Sequence, residues 1–170
     1  SDLRTLSRVY RQLPLDIIVQ DFQWWKGQGS HEFRAEWRGK PVWIIKRTPE
    51  MVSSLKKTDA LVADPNSQRN SDELTPEYAR NEFRSIKPEV AVLEGVCSHL
   101  GCSPQFKPAE MKADMGMDWQ GGFYCPCHGS KFDFAGRVFS GSPAPINLNV
   151  PPHKFVGDAK IVIGDDSKGA

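Results

Sequence analysis

Two short segments rich in cysteine and histidine constrain this chain more than any other feature of its sequence. They read C-S-H-L-G-C and C-P-C-H-G-S and begin at Cys97 and Cys125. Cys97 and His99 occupy alternate positions, so in an extended loop their side chains point the same way. Proline and glycine in the second segment favour a tight turn in which Cys125 and His128 converge. The two segments therefore offer two thiols and two imidazoles to a metal centre.

Three kinds of site are compatible with this pattern. The four cysteines can form two structural disulfides, although the paired spacing of cysteine and histidine then has no purpose. A tetrahedral zinc site of two cysteines and two histidines leaves Cys102 and Cys127 without a role. A [2Fe–2S] centre would take two cysteines on one iron and two histidines on the other.

Length and charge exclude several classes of protein. The chain has 170 residues, which is the length of one domain, and a formal net charge of +1. No segment is strongly basic, which argues against a nucleic-acid-binding protein. The longest apolar runs, such as residues 41–45, are too short to span a bilayer. Because the chain begins at Ser1 without an initiating methionine, we expect a processed chain or a fragment.

Short segments rich in β-branched and aromatic residues dominate the chain, and turn-forming residues separate them. This pattern predicts an antiparallel β domain. The predicted strands are Leu15–Gln20, Glu32–Trp37, Pro41–Arg47, Val90–Val96, Gly122–Tyr124, Val138–Phe139 and Ile161–Ile163.

Helical signals are sparse. Thr48 followed by proline and glutamate predicts a helix that begins there and runs to about Lys57. The same start signal at Thr75 predicts a shorter helix near Tyr78. The polar, turn-rich segment 63–73 between them is expected to be an exposed loop.

The two cysteine–histidine segments resemble those of Rieske proteins, in particular the iron–sulfur subunit of the proteobacterial cytochrome bc complex. The segments 37–44, 84–89 and 118–154 also resemble that subunit, so the likeness covers most of residues 36–163. Residues 1–30 resemble it only loosely. The implied fold is an all-β Rieske fold of antiparallel sheets with one helix–loop insertion. Its single domain, 1–170, would comprise a base subdomain (about 12–94 and 146–165) and a cluster-binding subdomain (about 95–145).

The resemblance implies one Rieske [2Fe–2S] cluster and divides six residues between two roles. The implied ligands are Cys97 and Cys125 on the inner iron, and His99 and His128 on the outer iron. The implied disulfide joins Cys102 to Cys127 and clamps the two ligand loops together. A disulfide indicates an oxidising compartment, which in a bacterium is the periplasm.

Four further expectations about the site follow from the same resemblance. The hydroxyl of Ser130 would donate to a cluster sulfur and raise the reduction potential. Relatives of high potential have tyrosine two positions after this serine, whereas this chain has Phe132, so we predict a lower potential. Leu100 would cover the cluster and contact cytochrome b, and the proline-rich run 141–145 would form the third side of the cluster pocket.

The implied function is one-electron transfer in a ubiquinol–cytochrome c reductase. His128, with His99 nearby, would face ubiquinol and accept its proton, and the electron would pass to a c-type cytochrome. The implied partners are cytochrome b and cytochrome c₁, with no nucleic acid. The implied location is the periplasmic face of the bacterial inner membrane, through an N-terminal anchor absent from this chain. The alternatives are the small Rieske subunit of an arsenite-oxidase-type enzyme and a Rieske ferredoxin that serves an oxygenase.

Several other polar residues are expected to have no role in the site. We expect His153 to be a surface or packing residue, and Lys131 and Asp133 to be solvated charges. Glu110, Asp114 and Asp118 lie between the two cysteine–histidine segments and are also interpreted as solvated charges.

Overall fold

The computed structural model describes residues 15–18, 31–157 and 160–166. Its regular elements are mostly short strands. In chain order they are β1 (Leu15–Ile18), β2 (His31–Trp37), β3 (Lys40–Lys46), α1 (Pro49–Thr58), a 3₁₀ turn (Glu77–Ala79), β4 (Val90–Glu94), β5 (Gln105–Lys107), α2 (Lys112–Met115), β6 (Gly122–Tyr124), β7 (Lys131–Phe132), β8 (His153–Val156) and β9 (Lys160–Ile163). No helix within these ranges has the length and apolar character that crossing a membrane requires.

The described strands form three antiparallel sheets of three strands each. Their orders are β1-β9-β8, β2-β3-β4 and β5-β6-β7. The prediction of an all-β fold built from antiparallel sheets is therefore confirmed. The division into base and cluster-binding subdomains stays a prediction, and residues 12–14 and 19–30 of the predicted base lie outside the described residues.

Strand β3 is the centre of the second sheet and faces two hydrophobic cores. Trp43 and Ile45 pack into the larger core, which also contains the cysteines of both ligand loops. Val42 and Ile44 pack into a smaller core on the other face. The two-residue period of a strand produces this division. An unbroken apolar run is what a strand covered on both faces requires.

Helix α1 begins where the sequence predicts. The hydroxyl of Thr48 accepts a hydrogen bond from the backbone N–H of Met51 (3.2 Å), and Pro49 occupies the first helical position. The threonine hydroxyl pairs with one of the N–H groups of the first turn that have no partner within the helix. Proline has no backbone N–H, so at this position it loses no helical hydrogen bond. The helix buries Met51 and Leu55 against the larger core.

The structure differs from the predicted strands in the second half of the chain. Strands β5, β7 and β8 and helix α2 were not predicted, because runs of two to four residues are too short to show a period. Residues Val138 and Phe139 were predicted as a strand but form only isolated bridges, to Phe132 and Val62. Val19 and Gln20, the end of the first predicted strand, lie outside the described residues.

The segment 63–73 is a loop, but the expectation that it is exposed was wrong in part. Asp64, Ser67 and Asn70 are buried. The carboxylate of Asp64 accepts hydrogen bonds from the backbone N–H groups of Gln68 and Arg69. A buried polar group is tolerated when it is hydrogen-bonded. The Ser67 hydroxyl accepts bonds from the side chains of Arg84 and Asn147, which are distant in sequence, so a sequence pattern does not show these partners.

His153 is fully buried, which confirms that it is a packing residue. Its Nδ1 lies 2.8 Å from the carbonyl oxygen of Pro151, and its ring stands edge-on to Tyr78. Its Nε2 is buried without a hydrogen-bond partner among the described residues. Burial lowers the pKa of His153, although the Pro151 carbonyl and the charge of Asp166 oppose the shift.

This environment predicts a loss of stability in mild acid. Below the ordinary histidine pKa of about 6.5, His153 binds a proton in the unfolded chain. In the folded protein its lowered pKa keeps it neutral to a lower pH, so the unfolded state binds more protons. The free energy of unfolding should therefore fall as the pH drops below about 6.5, by at most about 1.4 kcal/mol per pH unit from this residue. Urea unfolding between neutral pH and pH 5 should show a weaker pH dependence in His153→Gln. Equal slopes in the two proteins would contradict the prediction.

Candidate metal centre

The first cysteine–histidine segment forms a closed loop directly after strand β4. The backbone N–H of Cys97 donates to the carbonyl oxygen of Cys102 (2.7 Å), and that of Gly101 donates to the carbonyl oxygen of Cys97 (3.0 Å). Gly101 has φ +84°, a conformation that costs free energy for a residue with a Cβ atom. Glycine at this position therefore lets the loop turn back on itself.

The second segment repeats this pattern within the β6–β7 hairpin. The N–H of Cys125 donates to the carbonyl oxygen of Ser130 (2.8 Å), and that of Gly129 donates to the carbonyl oxygen of Cys125 (2.9 Å). Gly129 also has φ +84°. The two loops are thus closed by the same pair of hydrogen bonds, with glycine at the same place in each.

A disulfide bond between Cys102 and Cys127 joins the two loops, with their Cα atoms 6.6 Å apart. This is the pair that the resemblance implies. The sulfur of Cys125 lies within 4.8 Å of both disulfide sulfurs. Those three sulfurs do not form a metal site, because a disulfide has no thiolate to offer a metal. The free thiols of the described chain are therefore Cys97 and Cys125.

The free thiols are buried beneath two histidines that lie closer to the surface. Cys97 and Cys125 are each 2% exposed, whereas His99 is partly buried and His128 is exposed. The two imidazole rings are perpendicular, with centroids 4.8 Å apart. The structure therefore brings together the four side chains that the sequence singles out, with sulfur on the inside and nitrogen on the outside.

The environment of Cys97 shows how closely these groups are packed. Burial raises the pKa of its thiol, and the neighbouring Cys125 thiol raises it further. Hydrogen bonds from the backbone of His99 and the hydroxyl of Ser130 act in the opposite direction. Ser130 is itself buried, and its hydroxyl also accepts a bond from the backbone N–H of Ala144 (2.9 Å).

These residues fit a [2Fe–2S] centre ligated by two cysteines and two histidines. Nδ1 of His99 is buried and has no hydrogen-bond partner among the described residues. A buried polar atom without a partner costs free energy, so its position beside two buried thiols indicates a ligand to a metal. Two soft thiolates and two imidazoles are the donor set of a Rieske centre.

The other predicted site residues lie around the two loops. Leu100 is 68% exposed at the tip of the first loop. Phe132 is fully buried in β7 and pairs with Phe123. The run 141–145 reaches the site through the contact between Ala144 and Ser130.

The sequence did not single out Ser98, which lies between two candidate ligands. Its hydroxyl donates to the carbonyl oxygen of Ile146 (2.6 Å) and so ties the first ligand loop to the end of the proline-rich run. The signal available in the sequence was a hydroxyl residue between the cysteine and the histidine. It could not identify the hydrogen-bond partner of Ser98, because Ile146 lies 48 residues away.

The expectation that Asp133 is a solvated charge was wrong. It is 1% exposed, and its carboxylate accepts a hydrogen bond from Nε of Arg137 (2.8 Å). Lys131 is partly buried, and its ammonium donates to the carbonyl oxygen of Met115 (2.7 Å). The acidic residues expected to be solvated are exposed: Glu110, Asp114 and Asp118.

Comparison with known proteins identifies a known domain in this chain. Residues 74–152 match the Rieske [2Fe-2S] domain. The chain is 50% identical over 137 residues to the ubiquinol-cytochrome c reductase iron-sulfur subunit of Allochromatium vinosum, which covers 81% of this chain and 65% of that protein. It is 41% identical over 130 residues to the mitochondrial cytochrome b-c1 complex subunit Rieske of Schizosaccharomyces pombe, covering 76% of this chain and 46% of that protein.

Among solved structures, the plasma membrane Rieske protein of the cyanobacterium Synechocystis PCC 6803 matches with a TM-score of 0.43 and 19% identity. That match covers 87% of this chain and 97% of the cyanobacterial chain. The chain spans less than two thirds of the length of the two sequence relatives named above. The domain match shows that residues 74–152 are a Rieske [2Fe-2S] domain, and the chain around it is similar to bacterial and mitochondrial subunits that carry this domain.

Proposed function

We propose that this chain is the iron–sulfur subunit of a cytochrome bc complex and transfers single electrons from ubiquinol to a c-type cytochrome. The observation that carries the proposal is the pair of matched loops, clamped by a disulfide, with thiols inside and imidazoles at the surface. The relatives named as reductase or cytochrome b-c1 subunits support it.

Four residues would hold the cluster: Cys97, His99, Cys125 and His128. When bound, the cluster supplies a one-electron couple. Neutral imidazoles in place of two thiolates leave the ligand set two charges less negative, which favours the uptake of an electron. The buried hydroxyl of Ser130 would donate to a cluster sulfur and stabilise added negative charge there.

The histidines would also accept and release a proton. The buried Nδ1 of His99 has the position of the metal-facing nitrogen, which leaves its Nε2 for exchange with solvent or substrate. His128 is the more exposed of the two rings, and we assign it as the ring that accepts the hydrogen bond and proton of ubiquinol. A midpoint potential that falls with pH in the alkaline range would support this assignment, and a flat profile would contradict it.

The partners that fit this function are cytochrome b and a cytochrome c₁-type subunit. Leu100 projects beside His99 and is the largest exposed apolar side chain of the two ligand loops, so it would contact cytochrome b. The corresponding location is the periplasmic face of a bacterial inner membrane, through an N-terminal anchor.

The first test is spectroscopic. The purified, dithionite-reduced protein should give the EPR signal of a Rieske centre, with a low average g value. A zinc site would give no signal, and a four-cysteine cluster would give a higher average g value. Ubiquinol oxidation by the assembled complex then tests the partner assignment separately.

Phe132 provides a prediction about the potential. Phe132→Tyr should raise the midpoint potential by about 20–65 mV, because one neutral hydrogen bond is worth about 0.5–1.5 kcal/mol and 59 mV is a tenfold change for one electron. Phe134→Tyr is the matched control, since Phe134 is also buried in this core but lies two residues further on. Protein-film voltammetry measures both, and an unchanged potential in Phe132→Tyr would refute the role assigned to this position.

A further inference from the structure

Trp43 contacts both of the segments that lead into the two ligand loops. It is fully buried in the larger core, which also contains Cys97, Phe123 and Cys125. Gly95 directly follows strand β4, and Phe123 is the middle residue of β6. Each of these two residues precedes a free thiol by two positions. A side chain that packs against both residues therefore links the entrances of the two loops.

The first contact is between the indole ring and the backbone of Gly95. Trp43 pairs with Leu93 in the β3–β4 ladder, so Gly95, two residues further on, faces the same side of the sheet. A Cβ atom on Gly95 would lie 2.1 Å from Cε2, 2.3 Å from Nε1 and 2.4 Å from Cζ2 of Trp43. These distances are far shorter than van der Waals contact, so glycine is what lets the ring approach. The N–H of Gly95 also donates to the carbonyl oxygen of Pro41 (2.8 Å), which holds this backbone beside β3.

The second contact is between the indole ring and the ring of Phe123. Their centroids are 4.9 Å apart, and their planes are tilted by 34°. Aromatic rings at such a distance attract each other in preferred orientations. Phe123 is itself held by its sheet, where it pairs with Phe106 of β5 and Phe132 of β7. The position of β6 is therefore coupled to that of the Trp43 ring.

The disulfide and this tryptophan attach the two loops to each other at different points. In the first loop, two candidate ligands lie in sequence between Gly95 and the disulfide residue Cys102. In the second loop, Cys125 lies between Phe123 and the disulfide residue Cys127. Two loops joined at one point can pivot about it, whereas a second point of attachment fixes their relative orientation. Three of the four candidate ligands are thus enclosed between two attachments.

We infer that Trp43 is a positioning residue that, together with the disulfide, holds the two ligand loops at the separation that the cluster requires. Ligands that are held in place by the packing around them bind their group more tightly than ligands that must first be ordered. The inference rests on the proposed function, because it assumes the cluster. Its effects are read in the retention of iron and in the EPR spectrum, and not in ubiquinol oxidation.

Trp37 is a matched control within the same chain. It is also buried, and its Nε1, like that of Trp43, has no hydrogen-bond partner among the described residues. It packs against a glycine as well, because a Cβ atom on Gly164 would lie 2.7 Å from Nε1 of Trp37. Trp37 belongs to the smaller core, which among the described residues contains none of the candidate ligands. The two tryptophans therefore have similar packing but different positions relative to the site.

Trp43→Leu and Trp37→Leu, each in the cluster-containing protein, test the inference. Release of iron to a chelator is measured at temperatures equally far below the Tm of each protein, so that differences in overall stability are removed. Trp43→Leu should release iron about tenfold faster than the wild type, because a large-to-small change leaves a cavity into which the loops can move. Its EPR lines should also broaden. Trp37→Leu should match the wild type in both measurements, and equal release rates in the two variants would overturn the inference.

Gly95→Ala tests the contact from the other side. Gly95 does not have a positive φ, so the added methyl group acts through its clash with the indole and not through backbone strain. This variant should lose bound iron and show broadened EPR lines. The double variant Gly95→Ala, Trp43→Leu should bind more iron than Gly95→Ala alone, because leucine lacks the three indole atoms that the methyl group would meet. A double variant that binds no more iron than Gly95→Ala would overturn the inference.

Trp43→Phe and Trp37→Phe replace the leucine variants, under the same criteria, if Trp43→Leu fails to fold. Phenylalanine keeps an aromatic ring in each core but is one ring smaller than tryptophan. The EPR spectrum of the wild-type protein alone tests for the proposed cluster. Failure of this inference therefore remains distinct from failure of the proposed function.

Discussion

Replacing Cys125 by serine is expected to abolish the Rieske signal altogether. Cys125 is one of the two free thiols of the described chain, and it lies beside Cys97 beneath the two histidines. A serine hydroxyl does not ionise at neutral pH and is a poor ligand for iron compared with a thiolate. The visible absorption and the EPR signal of the reduced protein should both be absent, and bound iron should fall to background.

The matched control replaces the other two cysteines. The double variant Cys102→Ser, Cys127→Ser removes the disulfide that closes a loop with a sequence separation of 25 residues. The loop-entropy model values that bridge at about 3–4 kcal/mol, so thermal stability and cluster retention should fall. The g values of the cluster that remains should stay those of a Rieske centre. Two results would contradict the assignment of Cys125 as a ligand and of Cys102 and Cys127 as a disulfide. They are a Rieske signal in Cys125→Ser and a different signal in the double variant.

Asp133→Ala is expected to cause the largest loss of stability among substitutions outside the ligands. Its carboxylate pairs with the fully buried guanidinium of Arg137 and accepts a bond from the hydroxyl of Thr58 (3.0 Å). Burial alone would lower the pKa of Arg137, but its carboxylate partners outweigh burial and raise it. Removing one partner of a buried ion pair leaves an uncompensated charge, which costs about 3–5 kcal/mol.

Asp59→Ala is the control, because Asp59 pairs with the same guanidinium of Arg137 from a half-exposed position. Water screens that pair, and exposed ion pairs contribute at most about 1 kcal/mol. Urea denaturation followed by circular dichroism should therefore show a small shift for Asp59→Ala and a large one for Asp133→Ala. Equal losses would mean that burial does not determine the strength of these pairs.

The sequence by itself identified the candidate ligands of the site and many of the strands. The spacing of Cys97, His99, Cys125 and His128 is a local property, and so is the glycine that closes each ligand loop. The start of helix α1 was predictable for the same reason, because proline and a capping threonine act within one turn. The apolar run of β3 was predicted as a strand, whereas the burial of both its faces is seen in the structure.

Only the tertiary structure decided which polar residues are buried. Asp133 and Arg84 have the sequence signature of surface residues, yet both are buried. Arg84 meets its acceptor on Ala135 across 51 residues, and Arg47 meets Phe134 across 87. The short strands β5 and β7 likewise depend on partners supplied by β6. Sequence periodicity reports how a segment faces its immediate neighbours, whereas a buried charge is stabilised by groups that only the complete fold brings within hydrogen-bonding distance.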